Sequence, residues 1–322
     1  MNKPLVSVIV PVYNVEQYIK GCAQSLFEQT LNSVEYIFID DCSPDNSITL
    51  VKDVLKQYPN RKDSVIFYRM PQNSGLPMVR KRGIELSSGE YIIHCDSDDT
   101  IETNMLEVMY NTAKQGNYDL VTCEIDWSNG YQMPFVECGN KLALLKATLE
   151  GKVIESVCTK MVKKAIYEED GFIYTKDNIN EDCVFSTQII FYSKSFKQLP
   201  NKFYHYYMRP NSLCHGVEAE KMMRNFNQFK RNIGLIEDFL QSVGLKSQVR
   251  NELDMKKLAC KNYIIPLTGL PKYKKIWTST YPEISGIILL NKSLSLRSKL
   301  VYYSVKFNLY KYLRPIFTKQ HD

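Results

Sequence analysis

The 322 residues are 44% apolar and 24% charged, the proportions of a soluble globular chain with material for one large domain or two smaller ones. That composition excludes disordered and fibrous classes, and no window approaches the roughly 18–20 apolar residues of a membrane span. The net charge of +6 is unevenly spread: residues 216–322 hold 19 Lys and Arg against 8 Asp and Glu, residues 1–215 hold 22 against 27, and the two parts are expected to face different partners.

The first eleven residues have one lysine, a short apolar run ending at Pro11 and no small-residue cleavage site, so they read as a first strand and not as a signal peptide. Residues 5–12 are β-branched and apolar almost throughout, as in a strand buried on both faces. Val15, Ile19, Cys22, Ala23, Leu26 and Phe27 follow at helical spacing, then a second strand over 34–40. Ser43 to Ser47 supply turn and N-cap residues for a helix reaching about Tyr58. A third strand over 65–68, a third helix over 76–87 and a fourth strand over 90–95 complete the alternation. This pattern predicts an α/β fold with a doubly wound, mostly parallel sheet flanked by helices, whose ligands bind beyond the carboxyl ends of the strands.

Tyr13-Asn14, Asp40-Asp41 and Asp96-Ser-Asp-Asp99 follow strands one, two and four, and are expected to converge on one crevice. From about residue 131 the text becomes looser and rich in aromatics, and beyond residue 217 it is mostly helical. The expected division is an α/β domain over 1–215 and a basic helical region over 216–322. Nine widely separated cysteines without a Cys-x-x-Cys pair point to reduced thiols in a cytosolic protein.

Three carboxylates within four positions at 96–99 repel one another and call for a positive partner. An EF-hand calcium loop is disfavoured, because Ile101 stands where that loop requires glycine and a strand precedes the acids. A Mn2+ or Mg2+ ion gripped by one or two carboxylates and completed by substrate phosphates suits the site better. Asp99 also reads as a cap for a helix opening near Glu102, and Glu181-Asp182 as an acidic helix N-terminus.

Pro11-Val-Tyr-Asn14, Asp40-Asp-Cys-Ser-Pro-Asp45, Asn73-Ser-Gly-Leu-Pro-Met-Val-Arg80, Asp96-Ser-Asp-Asp99 and Glu181-Asp-Cys-Val-Phe185 occur in the order and spacing of family 2 glycosyltransferases with the GT-A fold, which residues 4–215 therefore resemble. The resemblance implies a nucleotide-sugar-binding half over 1–130 and an acceptor-side half over 131–215. It implies that Pro11, Tyr13 and Asp41 line the pocket of a nucleotide base, typically uracil, that Asp96 lies at the ribose, and that Asp98 binds the metal. Asn73 and Arg80 fall in the segment that supports the donor, and Asp182 matches the catalytic base. The stretch Tyr204 to His215 looks like the family segment that closes over the diphosphate, with Arg209 on the phosphates and His215 as a further metal ligand. Cys42, Pro77 and Lys81 depart from the family pattern; Cys42 replaces a glycine and is expected to strain its turn.

The implied reaction is inverting transfer from a nucleotide diphosphate sugar to a saccharide or lipid-linked acceptor in surface polysaccharide assembly. A sugar-phosphate nucleotidyltransferase and a non-catalytic carbohydrate-binding module remain as alternatives; the first lacks its phosphate loop after strand one. Residues 286–317 combine many Leu, Ile, Tyr and Phe with six Lys and Arg, a pattern suited either to an anionic membrane surface or to a helix packing its apolar stripe inward. No recognition module accompanies the basic charge, so nucleic acid is not expected as a partner.

Overall fold

Strand β1, Val6–Val12, is buried along its whole length, because β2 (Val34–Asp40) and β4 (Tyr91–His94) pair with it in parallel on either side. The computed structural model describes residues 3–208, 218–286, 288–289, 291 and 294–313. Strand β3 (Val65–Arg69) extends the parallel set, and helices α1 (Ile19–Phe27), α2 (Ser47–Leu55) and α3 (Leu76–Leu86) make the connections. Helix α3 lies close to the sheet through Gly83, where a Cβ would meet Ile9 at 2.3 Å.

The second half of the sheet is mixed. It contains β5 (Thr100–Ile101), β6 (Leu120–Trp127), β7 (Lys160–Lys163) and β8 (Phe196–Tyr206), giving the order β3-β2-β1-β4-β7-β6-β8-β5. Strand β7 runs antiparallel to both β4 and β6, and β8 runs parallel to β6. Strands β4, β6 and β8 therefore point the same way, and their carboxyl ends share one edge with those of β1 and β2. Helices α4 (Met105–Gly116), α5 (Lys141–Leu149) and α6 (Glu181–Tyr192) complete this part. One face of the sheet is sealed by Val8, Val10, Tyr36, Phe38, Ile93 and Tyr204 packed with Ile19, Leu26, Leu106 and Met109 of the helices.

Two compact units emerge, 3–208 and 218–313 among the described residues. The second is built of α7 (Ala219–Ser242), α8 (Arg250–Tyr263), α9 (Pro271–Ser279) and α10 (Leu296–Lys306). Its core includes Phe226, Ile233, Leu240, Trp277 and Tyr302, with the Trp277 and Tyr302 rings 4.9 Å apart. The amphipathic stretch of the C-terminal part is interrupted: α10 ends at Lys306, Asn308 has a φ of +62°, and helix resumes at Tyr310. The cysteines described, eight of the nine, are all free thiols.

Candidate active site

At the end of β1 the chain turns through Asn14, whose φ of +53° is in the left-handed region that asparagine tolerates, and the Tyr13 ring is left 49% exposed beyond buried Pro11. This turn is tied to the one after β2: the Asn14, Val15 and Glu16 amides donate to Ser43 Oγ, Ser47 Oγ and Asp45 Oδ2 at 3.3, 3.1 and 2.9 Å. Cys42 has a φ of +61°, the strained conformation expected where a glycine is replaced, and its Sγ lies 3.2 Å from the Met70 carbonyl oxygen.

Asp41 is buried and reaches across to the loop before α3. Its Oδ1 accepts from the Ser74 amide at 2.7 Å and its Oδ2 from the Gly75 amide at 3.0 Å. Burial outweighs these two bonds and raises its carboxyl, with the charge of Asp40 adding to the rise. Asn73, one residue before this clamp, is exposed. Gly75 combines a φ of +81° with a close neighbour, since a Cβ would lie 2.8 Å from Asn178 Oδ1. That same oxygen accepts from the Leu76 amide at 3.1 Å, supplying the start of α3 with the acceptor that an N-terminal turn needs.

Helix α3 delivers Arg80 to the centre of the site, where the side chain is only 1% exposed. Its Nη2 meets Asp96 Oδ1 at 3.0 Å, and its Nη1 meets Glu181 Oε1 and Asp182 Oδ1, each at 2.8 Å. Asp182 Oδ1 also accepts from the Val157 amide at 3.3 Å. Asp96 and Asp182 each give one oxygen to this network, and the other oxygen of each accepts no hydrogen bond among the described residues. Both side chains remain about 30% exposed, at 31% and 29%. Glu181 is buried: burial first, then the charge of Asp182, push its carboxyl well above the usual range, against the pull of Arg80. Glu181 and Asp182 also stand in the first turn of α6, where carboxylates are favoured by the helix dipole.

The second half of the acidic motif is organised by β8. Tyr204 Oη accepts from the Asp96 amide at 3.1 Å and donates to Asp99 Oδ2 at 2.7 Å, and the Tyr207 amide donates to Asp99 Oδ1 at 2.9 Å. Asp99 is 1% exposed, and burial, followed by the charges of Asp98 and Asp96, raises its carboxyl to about 8. The expectation that Asp99 caps a helix is therefore corrected. Thr100–Ile101 is the short strand β5 paired to β8, and α4 starts only at Met105, after Asn104.

Asp98 is partly exposed beside these two acids. Among the described residues no three His, Cys, Asp or Glu side chains gather as a complete metal cage. The hard oxygen donors of Asp98 fit an ion such as Mn2+ or Mg2+ that takes one or two carboxylates and finds its remaining ligands on phosphates. Arg209 and His215 lie outside the described residues. His94 is a buried strand residue whose ring is kept well below its ordinary pKa by burial and by the charge of Arg80.

Three further residues shape the site: Glu181 as third partner of Arg80, Tyr204 as the bridge between Asp96 and Asp99, and Asn178 at the start of α3. Glu181 could have been read from its place beside Asp182. Tyr204 opens the stretch already singled out, but nothing local marked its bonds to Asp96 and Asp99 or the place of Asn178, because their partners are about a hundred residues away in the chain.

A sequence model of glycosyl transferase family 2 matches residues 7–171. The glycosyltransferase EpsH of Bacillus subtilis is 30% identical over 271 residues, covering 79% of this chain and 74% of its own. Among solved structures, TarS residues 1–349 of S. aureus with UDP-GlcNAc superposes at a TM-score of 0.58 and 17% identity, over 93% of this chain and 92% of its own. The mannosyltransferase PcManGT of Pyrobaculum calidifontis, with GDP-Man and Mn2+, superposes at 0.59 and 14% identity, over 99% and 85%. Both share the mixed, mostly parallel sheet flanked by helices.

Proposed function

The chain belongs to glycosyl transferase family 2, and from that premise we propose that it moves a sugar from a nucleotide diphosphate donor, a UDP-sugar, to a hydroxyl of a saccharide or lipid-linked saccharide, with inversion. The observation that carries this reading is Arg80, a buried cation holding one acid from the donor motif and one from α6 in fixed positions, each with its second oxygen open. The acceptor hydroxyl loses its proton to Asp182 Oδ2 as its oxygen bonds to the anomeric carbon, and the bond from that carbon to the diphosphate breaks. Attack opposite the leaving group inverts the configuration.

In this reading Tyr13, Pro11 and Asp41 hold the base, Asp41 doing so while clamping the loop that carries Asn73. Asp96 lies at the ribose, and Arg80 positions the two acids instead of touching substrate. Asp98, with His215, holds Mn2+ or Mg2+, which when bound offsets the charge that develops on the diphosphate; Arg209 serves the same phosphates. The UDP-GlcNAc in TarS and the GDP-Man and Mn2+ in PcManGT support a nucleotide-sugar donor and a divalent ion. The test is Mn2+-dependent hydrolysis of a panel of UDP-sugars by the wild type and by Asp182→Asn. Turnover that is lost in the variant while UDP binding persists is expected. UDP binding with no turnover in either protein would instead identify a binding module.

The acceptor reading extends to a membrane surface. No helix among the described residues is long and apolar enough to cross a membrane. Leu296, Leu300, Phe307, Leu309 and Tyr312 are nevertheless exposed, interleaved with Arg297, Lys299, Lys306 and Lys311, and the sequence has no acidic residue between Glu283 and Asp322. Exposed leucines and aromatics with unopposed basic charge suit peripheral contact with anionic lipid on the cytoplasmic side. Tyr302, on the inner side of α10, packs on Trp277, so one helix serves both core and surface.

A further inference from the structure

Four of the six exposed large apolar side chains in residues 3–208 lie in two short stretches: Tyr131 and Phe135, and Tyr207 and Met208. The two stretches are joined. The Asn129 side chain accepts from the Tyr131 amide at 3.0 Å and donates to Met208 Sδ at 3.1 Å, while the Ser128 amide donates to the Tyr206 carbonyl at 3.0 Å. Trp127 forms the floor, with its ring edge-on to Tyr131 and Tyr206 at 5.7 and 5.1 Å. Clustered exposed aromatics on a folded unit mark a binding surface more often than chance exposure does.

Two placements narrow what binds there. The cluster sits at the carboxyl ends of β6 and β8, on the same sheet edge as the acidic site but in the opposite half from β1 and β2, which carry Tyr13 and Asp41. It is also continuous with the site, because the Tyr207 amide bonds Asp99 and the Tyr207 hydroxyl lies 3.4 Å from Thr100 Oγ1. Beside it His205 is held between Glu102 and Asp126, at 2.8 and 3.3 Å, which leaves half-exposed carboxylates as acceptors for hydroxyl groups. Flat aromatic faces match the C–H faces of sugar rings, and rim carboxylates match their hydroxyls.

We infer that Trp127, Tyr131, Tyr206, Tyr207 and Met208 form a ledge that binds successive sugar rings of the acceptor chain and feeds its end towards Asp182. The inference rests on the transferase reading and specifies its acceptor as an oligosaccharide with more than one ring bound. The experiment uses the full chain carrying Trp277→Phe, which leaves Trp127 as the only indole of the two in the sequence. Maltohexaose, cellohexaose and chitohexaose are titrated while Trp127 emission is followed, and UDP with Mn2+ is titrated in parallel. At least one hexamer is expected to shift the emission. Tyr131→Ala should weaken that binding about tenfold, Tyr131→Phe should restore it, and UDP affinity should be unchanged in both.

No response to any hexamer, or equal affinity in Tyr131→Ala, overturns the ledge while intact UDP binding leaves the donor reading standing. Failure of UDP to bind counts against the transferase reading itself. Concentration-dependent self-association that Tyr131→Ala abolishes would assign the ledge to a second copy of the chain and overturn it as a glycan site.

Discussion

The two units handle charge in opposite ways. In residues 3–208 the buried charges are gathered: Arg80 is taken up by three carboxylates, and the acids that face the crevice are fixed at one oxygen each. In residues 218–313 buried Lys257 is shared by Glu237 and Glu283, while the basic charge of α10 lies at the surface and the exposed apolar side chains beside it stay in water. A catalytic crevice needs groups that do not move, and desolvation makes each pairing there expensive to break. A surface that meets lipid needs long-range attraction and apolar area. Each unit also contains an almost fully buried lysine, about 1% exposed. Lys160 donates to the carbonyls of Ile154 and Ser156 at 2.7 and 2.9 Å, and Lys261 lies under the Trp277 ring at 4.4 Å.

The contrast is broken most severely at the base. Asp182→Asn should lower sugar transfer by about 10²–10⁴-fold with UDP affinity intact, as removal of a general base does; an active variant would exclude Asp182. Replacing the hub, Arg80→Met, strands buried Glu181 together with the partly exposed Asp96 and Asp182, and should cost about 3–5 kcal/mol in urea unfolding. A loss below about 1 kcal/mol would mean that protonation of the acids relieves the site without the cation.

The buried lysines sharpen the comparison through pH. Burial pulls the Lys160 ammonium from 10.5 down to about 8. Between those values the unfolded chain binds a proton that the folded one has lost, so stability should rise with pH, by about 2 kcal/mol from pH 8 to pH 10. Unfolding followed through Trp127 in the Trp277→Phe protein reads the first unit, and there Lys160→Met should flatten the rise. Lys261, pulled down to about 8 in the same way, serves as the counterpart in the second unit. The smallest effect belongs to the surface. Leu296→Ser with Leu300→Ser should weaken partitioning to phosphatidylglycerol vesicles about tenfold without changing UDP-sugar hydrolysis; unchanged partitioning would remove the membrane reading.

Much of the first, parallel half of the sheet was legible in the chain. The β-branched run at 5–12 announced a strand buried on both faces and 34–40 a second strand, and the acids after them fell on one edge because parallel strands put their carboxyl ends together. Cys42 in place of a glycine foretold a left-handed residue, and its φ is +61°. Asp99 misled, because a carboxylate ahead of a helical pattern looks the same whether it caps that helix or accepts from a tyrosine of a distant strand. The C-terminal stretch was ambiguous for a related reason: periodicity marks an apolar stripe without saying whether protein covers it.

The sequence by itself determined the alternating elements of residues 5–95 and which acids stand at the strand ends, since apolar periodicity and turn chemistry act over a few residues. Only the tertiary structure decided how those acids are used. The pairs of Arg80 with Glu181 and Asp182, of Tyr204 with Asp96 and Asp99, and of Asn178 with Leu76 join segments about a hundred residues apart. Each exists because folding removes water from both partners at once and leaves them only each other to bond.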